Sequence, residues 1–261
     1  MGWLESVLLG LVQGLTEFLP VSSSGHLVLA QSLIPGFEQP GVLFDALLHG
    51  GTLLAVLMYF RRDVQELLAS LLPGGDPSRR RLALLLVAAT VPTGLIGVIF
   101  KDPLEALFHA PRSAAAMLLV TGALLWISEV LARPRMGLEG MGYGRALAVG
   151  TVQGLAIVPG ISRSGSTIAV GTLLGIRGED AARFSFLLSV PAILGALVLQ
   201  LPHLEGVEAG RLGGYAGGVA AAFASGLWAI RFLLAAIRRG RFRWFAVYCW
   251  LLGAGYLFFG P

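Results

Sequence analysis

Charged residues are scarce in this chain: Asp, Glu, Lys and Arg make up 13% of its 261 residues, about half the share of an ordinary soluble domain. With 56% hydrophobic residues and a mean hydropathy of +0.78, a water-soluble globule is excluded and an integral membrane protein is indicated. Cysteine is nearly absent. The single Cys249 lies inside an apolar run, which rules out an intramolecular disulfide and a cysteine-based metal cluster. The apolar runs do not alternate with polar residues, so a barrel is disfavoured and helices, which satisfy their backbone within their own segment, are expected. The N-terminus lacks the basic stretch and small-residue cleavage site of a secretory signal and carries Glu5 instead, so it is expected to stay in the mature protein. The net charge of +4 and pI near 9.7 do not point to nucleic acid, because the basic residues are mostly arginines in short clusters between apolar runs.

Six runs, residues 43–60, 82–100, 114–131, 184–201, 212–235 and 243–259, approach the roughly 20 helical residues needed to cross about 30 Å of hydrocarbon. The expected fold class is an all-α polytopic membrane protein. The chain also repeats itself. "VQGL" occurs at Val12–Leu15 and again at Val152–Leu155, a displacement of 140 residues. That displacement lays Ser22, Ser24 and Gly25 on Ser162, Ser164 and Gly165, and "FDALLHGGTLLA" from Phe44 on "FSFLLSVPAILG" from Phe184. Each copy opens with an apolar helix too short to span, about 14 residues before Pro20 and about 13 before Pro159, followed by a Ser-rich turn and a second short helix. Two re-entrant helical hairpins therefore accompany the six transmembrane helices. A re-entrant hairpin leaves on the side it entered and three crossings follow. The copies, residues 1–140 and 141–261 of one membrane domain, are thus expected to be inverted-topology repeats.

Charge bias orients them. Arg61, Arg62, Arg79 to Arg81, Arg133, Arg135, Arg145, Arg177, Arg183, Arg238, Arg239, Arg241 and Arg243 fall on one side, against Lys101, Arg112 and Arg211 on the other. The arginine-rich side is read as cytoplasmic, with both termini outside and the two polar turns meeting near the midplane.

The polar residues of those turns carry the chemistry. Gln13 and Glu17 are four apart and share a helix face, and a carboxylate at this depth is functional by default. "SSSGH", Ser22 to His26, offers hydroxyls, a flexible glycine and an imidazole able to move a proton near neutral pH, although a serine there also serves as a helix N-cap. "PGISRSGST", Pro159 to Thr167, sets Arg163 among Ser162, Ser164, Ser166 and Thr167 at an expected helix N-terminus, where free N–H groups and a guanidinium suit phosphate oxygens. Arg163 can equally pair with Glu17 to hold the fold. Asp45 and His49 share a face at a span's start and read as a supporting pair or a capping contact. Glu129 and Arg133 have the spacing of an ordinary helical ion pair, and Arg231 reads as snorkelling or packed inside the bundle. The stretch from Arg61 to Arg81 reads as a solvated loop lying partly on the membrane surface.

Over essentially its whole length the chain resembles the bacterial undecaprenyl pyrophosphate phosphatases, also known as bacitracin resistance proteins. "QGLTE" matches the family's Glu-or-Gln-x-x-x-Glu pattern at Gln13 and Glu17, "PGISRSGST" its Pro-Gly-x-Ser-Arg-Ser-x-x-Thr pattern, and "PVSSSGH" its serine turn. The resemblance implies removal of the terminal phosphate from undecaprenyl pyrophosphate in the bacterial cytoplasmic membrane, regenerating the lipid carrier of cell-wall synthesis. It places the catalytic histidine at His26 and the candidate serine at Ser23, with Arg163 and Glu17 completing the catalytic set. Gln13, Ser22, Ser162, Ser164 and Thr167 are then the substrate-binding residues. Glu17 is the expected ligand of a divalent cation, Mg²⁺ or alternatively Ca²⁺. The partners are the lipid substrate and membrane lipid, with a homodimer admissible and no nucleic acid. Three nucleophiles stay open at this point: Ser23, His26 and water. A transporter or flippase for an anionic lipid is the rival class, because broken helices meeting at the midplane also build carriers.

Overall fold

The computed structural model describes residues 2–34, 43–200 and 209–261; residue 201 of the fourth expected span and the side chain of Arg211 lie outside them. The described chain is helical, with one isolated β-bridge between Met136 and Ile176 and no strand. Twelve α-helices follow in order: α1 (Trp3–Phe18), α2 (Ser23–Ser32), α3 (Leu43–Tyr59), α4 (Arg61–Ser70), α5 (Pro77–Ile99), α6 (Lys101–Leu107), α7 (Pro111–Leu131), α8 (Tyr143–Leu155), α9 (Arg163–Leu173), α10 (Gly178–Gln200), α11 (Ala209–Arg238) and α12 (Arg243–Phe259). The protein is an all-α polytopic membrane protein. All six expected spans are helices. Pro77–Ile99, Pro111–Leu131, Gly178–Gln200 and Leu212–Arg238 are each long and apolar enough to cross a bilayer. Helix α3 reaches that length only together with α4, from which it is bent by 78°, and α12 is shorter at 17 residues.

Several local expectations change. The stretch after Arg61 is not a loop throughout: α4 lies across the end of α3, and α5 starts at Pro77, five residues before the expected start of its span. Asp76 caps α5 by accepting from the N–H groups of Ser78 and Arg79, with Pro77 in the first turn, which is a strong local start signal. Asp63 of α4 then pairs with Arg79 and Arg183. No ion pair joins Glu129 to Arg133, because α7 ends at Leu131 and Ala132 is extended, which destroys the helical spacing. Arg231 is exposed on α11 rather than packed inside.

The two short leading helices are seated by close backbone packing. On α1, a Cβ at Gly10 would lie 2.1 Å from the Gly218 carbonyl of α11, and one at Gly14 would lie 2.4 Å from that of Ala222. On α8, displaced by 140 residues, a Cβ at Gly150 would lie 1.9 Å from the Ala89 carbonyl of α5 and one at Gly154 within 2.6 Å of Ile96. This small-xxx-small contact lets each short helix dock against a long one without a hydrophobic driving force between them. Exchange of the two copies carries the α1–α11 pairing onto the α8–α5 pairing. The core between them is anchored by Phe18, fully buried next to Glu17, whose ring meets Phe186 of α10 edge-on at 5.5 Å.

Candidate active site

Helix α1 ends at Phe18 and α8 at Leu155, and the turns that follow lock into each other. The Gly160 N–H donates to Ser22 Oγ at 3.1 Å, Ser22 Oγ lies 3.3 Å from the Ile161 carbonyl, and Ser164 Oγ donates to the Leu19 carbonyl at 2.9 Å. Ser22 has φ +68°, a conformation rarely taken by a residue with a side chain, and these bonds from the opposite turn hold it there. Gly160 has φ +94°, and a Cβ there would sit 2.1 Å from the Ala114 carbonyl, so only glycine fits. Each turn is also tied to a long helix. Thr121 of α7 donates to the Gly160 carbonyl (2.8 Å) and accepts from the Ser162 N–H (3.0 Å), while Cys249 Sγ of α12 donates to the Pro20 carbonyl at 3.8 Å.

Helices α2 and α9 begin at this junction, each capped by a serine. Ser22 Oγ accepts from the Gly25 N–H and Ser162 Oγ from the Gly165 N–H. The capping role anticipated for Ser22 is therefore real, and Ser162 shares it. Two helix N-termini, each a source of free N–H groups and positive potential, thus converge on one place.

Four side chains meet Glu17, which is only 5% exposed. Arg163 forms an ion pair with its Oε1. Its Oε2 accepts from Gln13 Nε2 at 2.9 Å and from Ser23 Oγ at 2.5 Å, and His49 Nε2 of α3 lies 3.4 Å away. The donors Arg163, Gln13 and Ser23 are what allow a carboxylate to sit at this depth. The Arg163 side chain, 17% exposed, makes no other hydrogen bond among the described residues, which leaves most of its five N–H donors unused. Gln13 Oε1 is buried beside the carboxylate without a partner.

Two predicted residues are engaged by partners outside the Glu17 cluster or by the cluster itself. No hydrogen bond joins His26 to Ser23, because each side chain is taken by another partner. His26 Nδ1 lies 2.8 Å from the Ser22 carbonyl and its Nε2 lies 2.8 Å from the Tyr248 hydroxyl of α12, while Ser23 is drawn to Glu17. The Thr167 hydroxyl bonds to the carbonyls of Arg163 and Ser164 and to Ser185 Oγ of α10 at 2.6 Å. Two residues escaped the sequence reading as members of the site. His49 was legible only as the helical neighbour of Asp45, and Tyr248 is one aromatic in an apolar run with nothing in its surroundings to mark it. Among the described residues, no group of three or more His, Cys, Asp or Glu side chains could hold a metal ion.

The chain matches the family model described as bacitracin resistance protein BacA over residues 6–255. It is 51% identical to an undecaprenyl-diphosphatase of Syntrophotalea carbinolica, covering 97% of each chain. It is 48% identical to one of Desulfatibacillum aliphaticivorans, again over 97% of each, and 45% identical to one of Carboxydothermus hydrogenoformans, over 97% of this chain and 95% of the relative. With a family match running through both hairpins and relatives this similar along nearly the whole length, the chain belongs to the bacitracin resistance protein BacA family.

Proposed function

We propose that the chain is an undecaprenyl pyrophosphate phosphatase, which hydrolyses the terminal phosphate from its lipid substrate in the bacterial cytoplasmic membrane and releases undecaprenyl phosphate. One observation carries this reading: Arg163 from one hairpin and Ser23 from the other share the Glu17 carboxylate at a point where two helix N-termini converge. Phosphoryl transfer demands positioning and charge neutralisation above all, and this junction supplies both. The two copies are inverted in the membrane, with both termini outside, so the isoprenoid tail stays in lipid while the diphosphate reaches the junction.

In the mechanism, the spare donors of Arg163 and the backbone N–H groups opening α2 and α9 hold the phosphate oxygens. Ser23 Oγ attacks the terminal phosphorus in line, and its proton passes to Glu17 Oε2, with which it already shares a hydrogen bond. A bond forms between Oγ and phosphorus while the bridging P–O bond breaks, and undecaprenyl phosphate leaves. Water, giving its proton to His26, then attacks the phosphoserine; the bond between Oγ and phosphorus breaks, Ser23 recovers its proton from Glu17, and inorganic phosphate departs. Gln13 and His49 keep the carboxylate oriented throughout. Ser22, Ser162 and Ser164 build the junction rather than grip phosphate directly. A hard divalent cation, if bound, would be held by Glu17 and by the buried Gln13 Oε1, which has no partner among the described residues, and would supply further neutralisation of the phosphate charge.

Phosphate release by the purified protein in detergent tests the proposal. Wild type should release phosphate from undecaprenyl pyrophosphate, and Arg163→Ala should lose about 10²-fold or more in kcat. Equal rates, or movement of the lipid across liposomes without hydrolysis, would overturn it.

A further inference from the structure

We propose that Tyr248 is a positioning residue for His26, holding the imidazole in the tautomer that carries its proton on Nδ1. The inference rests on the phosphatase reading and on geometry outside the Glu17 cluster. The Ser22 carbonyl can only accept, so at 2.8 Å the proton on that side of the ring belongs to Nδ1. A neutral ring then has its lone pair on Nε2, and the Tyr248 hydroxyl, also at 2.8 Å, donates to it. The two ring planes lie within 4° of each other, which fixes the imidazole's orientation as well as its tautomer.

A hydroxyl is suited to this place because it works in both directions. It donates to a neutral imidazole and accepts from an imidazolium, so His26 can gain or lose a proton without losing its partner. Tyr248 is 45% exposed whereas His26 is half-buried, so the phenol is the more accessible member of the pair. Helix α12 makes a second contact of this kind with α2: the Tyr256 and Ser32 hydroxyls lie 2.8 Å apart. That pair is remote from His26 and serves only to join the helices, so it provides an internal control.

The test uses full-length protein labelled with ¹⁵N-histidine in detergent. The His26 signals are assigned by their loss in His26→Gln and read together with phosphate-release kinetics. In wild type, His26 should show a protonated Nδ1 and a hydrogen-bonded, unprotonated Nε2 at neutral pH. Tyr248→Phe keeps the ring and removes the donor. It should move the Nε2 resonance toward that of an unbonded ring nitrogen and lower kcat about 10-fold with KM little changed. Tyr256→Phe should alter neither. An unmoved Nε2 resonance in Tyr248→Phe would refute the link itself. A moved resonance with wild-type kcat would refute the positioning role and leave the phosphatase reading standing, since that reading is decided separately by Arg163→Ala.

Discussion

A single methyl group placed one helical turn before Glu17, at Gly14 of α1, should disable the site. The Cβ of Gly14→Ala would lie 2.0 Å from Ser225 Oγ, 2.4 Å from the Ala222 carbonyl oxygen and 2.8 Å from the Gly226 nitrogen. Ser225 can rotate, at the loss of its hydrogen bond to the Ala221 carbonyl, but the other two atoms are backbone of α11 and cannot. Ordinary contact begins near 3.4 Å, so α1 must retreat from α11 by about 1 Å. Glu17 lies one turn further along α1 and would move with it, away from Arg163 and Ser23. A displacement of about 1 Å at a reacting centre costs on the order of 10²-fold in rate, and overpacking of this kind costs about 1–3 kcal/mol in stability. The assay compares kcat for phosphate release and the thermal unfolding midpoint with those of Gly94→Ala, where nothing lies within 4 Å of the added Cβ. Gly94→Ala should match wild type. Wild-type kcat in Gly14→Ala would refute the claim that backbone contact between α1 and α11 sets the position of Glu17.

Two further substitutions probe the junction. Thr121→Val keeps the shape of the side chain but removes its bonds to the Gly160 carbonyl and the Ser162 N–H; unfolding should come at lower temperature, by about 1–3 kcal/mol of stability, and an unchanged midpoint would show that α7 does not hold the second turn. Ser23→Ala should abolish phosphate release and the trapping of a phosphorylated enzyme, whereas full turnover would eliminate the serine route.

The architecture was legible because its signals are local. Apolar runs announce spans, a proline after a short run announces a break, and the 140-residue displacement shows that the break occurs twice. The Glu17–Arg163 pair could be anticipated from cost alone, since a buried carboxylate needs a cation and the second hairpin offers one. What stayed hidden depends on packing between distant segments. His26 and Tyr248 are separated by 222 positions and meet only because α2 and α12 both pack against α7. Thr167 is marked by its place in a motif, but the contact of its hydroxyl with Ser185 of another helix is not announced by that motif. The ion pair expected between Glu129 and Arg133 failed for a different reason, since the spacing was right and the helix simply stopped too early.

The duplication separates scaffold from chemistry. Gly10 and Gly150, Gly14 and Gly154, Ser22 and Ser162, and Gly25 and Gly165 do the same job in both copies, seating a short helix or capping the next. The carbonyls of Pro20 and Gly160 are likewise each held from a long helix, by Cys249 and Thr121. At the positions to which the proposed mechanism gives reactivity the copies differ: the 140-residue displacement lays Glu17 on Ile157, Ser23 on Arg163 and His26 on Ser166. One copy therefore brings the acid, the hydroxyl and the imidazole, the other brings the cation, and neither half alone makes a site. This division weighs against a carrier on the same frame. Alternating access would require the junction to open in every cycle, parting the bonds of Ser22 and Ser164 and the Glu17–Arg163 pair. Parting a buried ion pair alone costs about 3–5 kcal/mol, because each charge is left without its partner at membrane depth. A phosphatase can turn over with all of these links in place.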